Sequence, residues 1–202
     1  MSNSISQILL DIGAVKIDTE NTFTWASGIE SPIYCDNRKT IGFPEKRKQI
    51  VDGFVALIKN HYPDAEVIAG TATAGIPHAA FIALKMELPM AYVRGEKKAH
   101  GAGKQIEGSE VKGKKVVLIE DLLSTGGSSL KAVHALKEAE AEVLGVSAIF
   151  SYELKKLHDN FRDEELEYHT LTNLDELLLE SEKSAVLNKA QVDVVKKFRD
   201  AL

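Results

Sequence analysis

Residues 116–129 read VVLIEDLLSTGGSS and join an apolar run to a bend rich in glycine and hydroxyl groups, after which a helical pattern begins. The apolar run predicts a short buried strand over residues 116–119. Two carboxylates, Glu120 and Asp121, stand between this strand and the bend. In open parallel sheets ligands bind at the carboxyl ends of the strands. The stretch therefore predicts a binding site at this strand end.

Short apolar runs alternate with helical patterns through most of the chain. We predict strands over residues 66–70, 90–93, 116–119, 143–150 and 168–171, and helices over residues 44–60, 76–85 and 128–139. A short N-terminal helix, short strands and loops over residues 15–39, and amphipathic helices over residues 174–202 complete the prediction. This alternation is typical of a parallel sheet covered by helices on both faces. We expect an α/β fold in one domain of 1–202.

Composition limits the classes of protein to which the chain can belong. With 202 residues and a formal net charge of -5, it lacks the basic excess of a general nucleic-acid or membrane-surface binder. Cys35 is the single cysteine, so no intrachain disulfide can form. Neither a signal peptide nor an apolar run of membrane-spanning length is present in the sequence. We expect a cytoplasmic protein that binds neither nucleic acid nor membranes.

The bend has the chemistry of a phosphate site. Glycines allow backbone N–H groups to approach an anion, and the helix that follows adds unpaired N–H groups and the positive end of its dipole. Hydroxyl groups of Ser124, Thr125, Ser128 and Ser129 can donate further hydrogen bonds. The two carboxylates would repel a phosphate, and they suit the hydroxyl groups of a sugar or a cation beside it. The combination predicts a ribose-phosphate site.

Other phosphate motifs do not fit the sequence. Gly70 and Gly75 have the spacing of a Walker loop, but Ile76 stands where that loop requires lysine. No GxGxxG follows a predicted strand. An ordinary turn between a strand and a helix would explain Gly127 and Ser128, but adjacent carboxylates at a buried strand end are costly unless they are used.

Residues 94–108, RGEKKAHGAGKQIEG, interrupt the alternation with a long, basic and glycine-rich stretch. A loop of this length within a compact domain is more often a functional lid or a disordered segment than an ordinary connection. Arg94, Lys98 and His100 are among the basic residues of this stretch.

Four motifs together resemble a known family. The stretch 116–129 resembles the phosphoribosyl diphosphate signature of type I phosphoribosyltransferases. KKAHG at 97–101 and FTWASGIESPIYCDNRK at 23–39 are similar to the catalytic loop and the base-binding region of the orotate phosphoribosyltransferase family, and GTATAGIP at 70–77 to its diphosphate loop. The resemblance implies the type I phosphoribosyltransferase fold, with a central mainly parallel sheet, an N-terminal hood of about residues 1–60 and a mobile loop.

The same resemblance implies an activity, partners and residue roles. Members join orotate to ribose 5-phosphate taken from phosphoribosyl diphosphate, with Mg²⁺ bound mainly through the substrate and no metal cage in the protein. They act as homodimers in which the loop closes over the neighbouring subunit's site. The implied catalytic residues are Lys98, His100 and Asp121. The implied substrate-binding residues are Arg94, Lys98, His100, Glu120, Asp121, Leu122, Leu123, Ser124, Thr125, Gly126, Gly127 and Ser128, with Ser124 and Arg38 on orotate.

The chain departs from the family pattern at three positions. Ala26, Ala74 and Gly95 stand where many members carry a basic residue, and Lys97 is a candidate to replace the charge missing at Gly95. Arg38 is our candidate for the orotate carboxylate, with a surface ion pair as the alternative. Two other functions share the ribose-phosphate motif: a purine phosphoribosyltransferase, and a regulator that senses phosphoribosyl diphosphate without catalysis.

Overall fold

The structure is a computed structural model that describes residues 4–25, 28–95 and 105–202. The α-helices are α1 Ile5–Asp11, α2 Pro44–His61, α3 Gly75–Met86, α4 Gly127–Glu138, α5 Lys155–Asp163, α6 Leu174–Lys183 and α7 Lys189–Asp200. The strands are β1 Val15–Ile17, β2 Phe23–Thr24, β3 Glu30–Ser31, β4 Ile33–Cys35, β5 Val67–Thr71, β6 Met90–Val93, β7 Ile106–Gly108, β8 Lys115–Leu123, β9 Glu142–Ser151 and β10 Tyr168–Asn173. A 3-10 helix spans Asn37–Gly42.

Six strands form the central sheet in the order β10-β9-β8-β5-β6-β7. Every neighbouring pair is parallel except β6 and β7, which are antiparallel. The predicted α/β class with a mainly parallel sheet flanked by helices is confirmed. Because β5 and β8 are neighbours at the centre, the loops that follow them emerge side by side at one edge of the sheet. That edge is where a parallel sheet binds its ligands.

The structure corrects the predicted length of the strand that precedes the bend. The prediction ended it at Ile119, whereas β8 continues to Leu123 because β9 runs beside it and pairs Glu120 with Ala148 and Leu123 with Ser151. Both carboxylates thus belong to the strand itself and do not follow it. Polar residues ended the apolar pattern in the sequence, but the backbone hydrogen bonds of a neighbouring strand do not depend on side-chain polarity.

Besides the 3-10 helix at Asn37–Gly42, two elements were not predicted. The strand Ile106–Gly108 lies inside the predicted loop 94–108, and its three residues are too few to show an alternating pattern. The helix Lys155–Asp163 is strongly charged, and Leu157 and Phe161 are the two apolar residues on its buried face. Two apolar positions four residues apart, within nine mostly polar residues, are too weak a periodic pattern to predict a helix.

The core surrounds the central strands. The side chains of Val116, Val117, Leu118 and Ile119 on β8 are completely buried, as are Ala148, Ile149 and Phe150 on β9. This continuous burial is expected for parallel strands covered on both faces. Among the described residues, no helix is both long and apolar enough to cross a bilayer.

The N-terminal strands form two small antiparallel pairs, β1 with β4 and β2 with β3. Trp25 anchors them to the rest of the protein. Its indole N–H donates a 2.9 Å hydrogen bond to the carbonyl of Ile33, and its ring lies 5.2 Å from Tyr152 and 5.8 Å from Phe198, centroid to centroid. Tyr152 follows β9 and Phe198 lies on α7, so the N-terminal strands are fixed to the sheet edge that carries the acidic pair.

Candidate active site

The acidic pair and the start of α4 share one cavity. It has a volume of about 380 Å³ and is lined by Ala72, Thr73, Ala74, Glu120, Asp121, Leu122, Ser124, Thr125, Gly126, Gly127 and Ser128. Strand β8 contributes the carboxylates, the bend contributes the hydroxyl groups, and the loop after β5 contributes the remaining residues. The structure thus brings together most of the residues predicted from the motif at 116–129.

The first turn of α4 presents unpaired N–H groups at this cavity. No side chain caps the helix, and its first backbone hydrogen bond runs from the N–H of Leu130 to the carbonyl of Gly126. Gly127 and Ser128 are exposed. Uncapped N–H groups at a helix start, together with the helix dipole, form an anion-binding site.

Gly126 gives the bend its shape. Its φ of 78° lies in the left-handed region, and a Cβ placed there would lie 2.6 Å from Cε2 of Phe161 and 3.0 Å from Cδ1 of Leu157. Both the backbone conformation and the close contact with α5 require glycine at this position. Gly127 has no such restriction, since the nearest atom to its Cβ would be Oγ1 of Thr125 at 3.9 Å.

Glu120 is a buried carboxyl group with a raised pKa. Burial and the charge of Asp121 raise the pKa of Glu120 to about 8, and hydrogen bonds to the ionised form offset part of this rise. Ser129 and Ser128 donate those bonds from their hydroxyl groups to Oε2 of Glu120, at 3.1 and 3.3 Å. In the free protein, therefore, Glu120 is mostly protonated at neutral pH.

Asp121 is held at its backbone by the 3-10 helix. The side-chain amide of Asn37 donates a 2.6 Å hydrogen bond to the carbonyl oxygen of Asp121. Burial raises the pKa of Asp121, the guanidinium of Arg38 lowers it, and the carboxylate of Asp36 raises it. These interactions place the segment 36–38 beside the acidic pair.

The loop after β5 forms the facing wall of the cavity. Ala72, Thr73 and Ala74 line it, and the peptide bond between Ala72 and Thr73 is cis. Helix α3 begins at Gly75, where a Cβ would lie 2.3 Å from the carbonyl oxygen of Ile119. Only glycine allows the start of α3 to pack this closely on β8, so Gly75 sets the position of the loop relative to the acidic pair.

Three predicted residues lie outside the lining of this cavity. The side chain of Arg38 is 64% exposed and its Nε lies 2.6 Å from Oδ1 of Asp36, so the ion pair considered from the sequence is present. Arg94 pairs with Glu107 at 3.8 Å. The side chain of Leu123 is completely buried.

Lys98 and His100 lie outside the described residues, as does Lys97, the candidate to replace the charge missing at Gly95. One residue near the pair was missed as a functional residue, and another was predicted in a different role. Asn37 reaches Asp121 across 84 positions of sequence, which no local pattern signals. Ser129 was predicted to donate its hydroxyl to the phosphate, whereas the structure buries that hydroxyl completely and directs it to Glu120.

Hard oxygen ligands are available at the cavity for a divalent cation. The carboxylates of Glu120 and Asp121 are of the type that Mg²⁺ prefers, and Mg²⁺ usually completes its shell with substrate phosphates and water. Within residues 4–25, 28–95 and 105–202, no three His, Cys, Asp or Glu side chains form a group that could hold a metal. The adjacent carboxyl groups of Glu120 and Asp121 fit a cation whose other ligands come from substrate phosphates and water.

Known proteins resemble this chain over its full length. A family model for the phosphoribosyl transferase domain matches residues 44–180. The orotate phosphoribosyltransferase of Staphylococcus aureus is 54% identical over 202 residues, which are 100% of both chains.

Solved structures share the fold. The UMP synthase of Leishmania donovani superposes with a TM-score of 0.82 at 27% identity; the match covers 98% of this chain but only 42% of that one, so the chain spans less than half of that protein. The orotate phosphoribosyltransferase of Mycobacterium tuberculosis, in complex with 5-phospho-alpha-D-ribosyl 1-diphosphate, gives a TM-score of 0.68 at 26% identity and covers 86% of this chain and 98% of that chain. With the cavity between its acidic strand and its uncapped helix, this chain belongs to the phosphoribosyl transferase domain family and, within it, to the orotate phosphoribosyltransferases.

Proposed function

We propose that this protein transfers ribose 5-phosphate from phosphoribosyl diphosphate to orotate, giving orotidine 5'-phosphate and diphosphate in the synthesis of pyrimidine nucleotides. One observation carries the proposal: a buried acidic pair and an uncapped helix start face the same cavity of about 380 Å³. The helix start can bind the phosphate of a ribose 5-phosphate. The adjacent acidic pair can accept hydrogen bonds from its ribose hydroxyl groups. The identity of 54% to an orotate phosphoribosyltransferase supports the choice of base.

The ribose 5-phosphate half of the substrate is assigned to the bend and the acidic strand. The N–H groups at the start of α4 and the hydroxyl groups of Thr125 and Ser128 bind the 5-phosphate. Glu120 and Asp121 accept hydrogen bonds from the ribose hydroxyl groups. The negative charge of Asp121, and of Glu120 when it is ionised, also stabilises the positive charge that develops at the anomeric carbon during glycosyl transfer.

The diphosphate is assigned to the opposite wall and to the basic loop. Ala72, Thr73 and Ala74 line the cavity together with the acidic pair, and we assign the diphosphate to the backbone groups of residues 71–75. Lys98, His100 and Arg94 stabilise the charge on the departing diphosphate, and the loop that carries them excludes water from a centre that water would hydrolyse. Bound Mg²⁺ supplies neutralisation of the phosphate charge, held mainly by the substrate's own oxygens.

Orotate is assigned to the side of the cavity nearest the N-terminal strands. Ser124 lies on the cavity wall and donates to the base, while Arg38 pairs with the orotate carboxylate. For this Arg38 must turn from Asp36, which its 64% exposure permits without disturbing the core. This contact would compensate for alanine at positions 26 and 74, where many relatives have a basic residue.

At the level of the whole molecule we propose one phosphoribosyltransferase domain over 1–202, with a hood of about residues 1–60. We also propose a cytoplasmic homodimer in which each subunit's loop acts at the neighbouring site. A single anomeric centre needs both the acidic pair and the basic loop, and sharing the loop between subunits would make dimerisation necessary for activity.

A spectrophotometric assay tests the proposal directly. Purified protein with phosphoribosyl diphosphate and Mg²⁺ should consume orotate, seen as loss of its absorbance, and Asp121→Asn should reduce the rate while the protein stays folded. If adenine or hypoxanthine is consumed instead of orotate, the protein is a purine phosphoribosyltransferase. Binding of phosphoribosyl diphosphate without turnover of any base would identify a regulator.

A further inference from the structure

Ser129 has an unusual hydrogen bond for a buried serine on a helix. Its side chain is completely buried, and its hydroxyl donates across to Oε2 of Glu120 at 3.1 Å. Serines within helices commonly bond back to the carbonyl four residues earlier. Ser181 on α6 does so, donating a 2.8 Å bond to the carbonyl of Leu177, and it is equally buried. Ser129 instead directs its hydroxyl to a carboxyl group on the neighbouring strand.

This bond fixes one oxygen of the carboxyl group that faces the cavity. Ser128 donates to the same Oε2 at 3.3 Å from an exposed position. The other oxygen, Oε1, receives no hydrogen bond from any side chain that the structure describes. The backbone N–H of Asp121 also forms a hydrogen bond with this carboxyl group, so bonds from α4 and from β8 together limit its orientation.

The same bond joins the two halves of the cavity. Ser129 lies in the first turn of α4, where N–H groups lack helical partners, and Glu120 lies on β8. A shift of the helix start on binding an anion would therefore move the carboxyl group, and a ligand on the carboxyl group would hold the helix start. A fully buried hydroxyl does not itself touch the ligand, so its effect must pass through Glu120.

We propose that Ser129 is a positioning residue, which orients Glu120 toward the ribose hydroxyl groups and couples that contact to binding of the 5-phosphate. This inference rests on the proposed function, because it takes phosphoribosyl diphosphate as the ligand of the cavity. Loss of one hydrogen bond to a buried carboxyl group is expected to weaken binding about ten-fold.

Calorimetric titration with phosphoribosyl diphosphate and Mg²⁺ provides the first test, using Ser129→Ala and Ser129→Cys. Both variants should bind about ten-fold more weakly than the wild type. The cysteine leaves no cavity and has only a weak S–H donor, so it covers the case in which alanine unfolds the protein. Ser181→Ala is the matched control and should bind as the wild type does, since it removes an equally buried serine hydroxyl elsewhere. Wild-type affinity in both Ser129 variants would overturn the inference.

A double-mutant cycle separates positioning from a general structural effect. If Ser129 acts through Glu120, adding Ser129→Ala to Glu120→Ala should change the affinity no further. Additive losses in the cycle would overturn the inference, as would an equal loss in Ser181→Ala. A wild-type protein that binds no phosphoribosyl diphosphate would refute the proposed function itself, and that result is seen before any variant is made.

Discussion

The side-chain amide of Asn37 donates a 2.6 Å hydrogen bond to the backbone carbonyl of Asp121. Asn37 is completely buried at the start of the 3-10 helix, and this bond connects the N-terminal segment to the strand that carries the acidic pair. Because the bond goes to the backbone, it fixes the strand end and leaves the Asp121 carboxylate available. The N-terminal segment thus sets the position of a group in the ribose-binding part of the cavity.

Asn37→Ala should weaken both the fold and the activity. Removal of a buried partner leaves the carbonyl of Asp121 unsatisfied, at about 1–3 kcal/mol in the free energy of unfolding. We expect kcat to fall about ten-fold or more, measured in the orotate assay. Asn173→Ala is the control, since it removes the side-chain cap of α6 at about 1 kcal/mol. Comparable rate losses in the two variants would argue that Asn37 acts only through stability.

Glu120→Gln should change the pH dependence of stability. The pKa of Glu120 is raised to about 8, from an ordinary value of 4.5. Between these values the folded state holds a proton that the unfolded state has lost, so the stability that this group contributes falls as pH rises. The slope is about 1.4 kcal/mol per pH unit at most.

Urea unfolding at pH 5.5 and pH 8 measures this effect as a difference between the two proteins. The glutamine variant should gain stability relative to the wild type as the pH rises. Burial lowers the pKa of His78 to about 4, which gives the opposite slope, but this contribution is common to both proteins and cancels. A difference that does not change with pH would show that Glu120 titrates normally.

Gly126→Ala should be harmful where Gly127→Ala is tolerated by the fold. The first substitution combines a φ of 78° with a Cβ 2.6 Å from Phe161, for a cost of about 2–4 kcal/mol. The second places its Cβ in open space. Thermal unfolding should separate the two, and Gly126→Ala should also raise the KM for phosphoribosyl diphosphate. Equal melting temperatures would contradict the assigned shape of the bend.

Phe198→Ala should loosen the N-terminal strands. Its ring meets Trp25 edge-on at 5.8 Å, and such contacts contribute about 0.5–1.5 kcal/mol beyond burial. We expect the KM for orotate to rise several-fold, with a smaller change in the KM for phosphoribosyl diphosphate, because the base side of the cavity adjoins these strands. Val194→Ala, at an exposed position of the same helix, should leave both constants unchanged. If neither KM rises, the packing of α7 against Trp25 does not influence substrate binding.

Lys98→Ala should reduce turnover while leaving the melting temperature unchanged. Loss of one well-placed donor to developing negative charge costs about 3–4 kcal/mol, or a factor of 10²–10³ in kcat. The loss should appear in kcat measured with both substrates at saturation. An unchanged kcat would show that Lys98 does not stabilise the departing diphosphate.

The sequence predicted the fold class and most of the cavity because both depend on local patterns. The motif at 116–129 combines its strand, bend and helix within fourteen residues, and its chemistry follows from residue types alone. The contacts of Asn37 with Asp121 and of Trp25 with Phe198 join distant segments and leave no periodic trace. Ser129 differs from both. Its hydroxyl group could be read from the sequence, but the direction of that hydroxyl depends on the packing of α4 against β8.

A crystal structure with phosphoribosyl diphosphate and Mg²⁺ bound tests the central claim most directly. The 5-phosphate should lie on the N–H groups at the start of α4, between Thr125 and Ser128, with the ribose hydroxyl groups on Glu120 and Asp121. A ligand bound elsewhere, with this cavity empty at saturating concentration, would contradict the account.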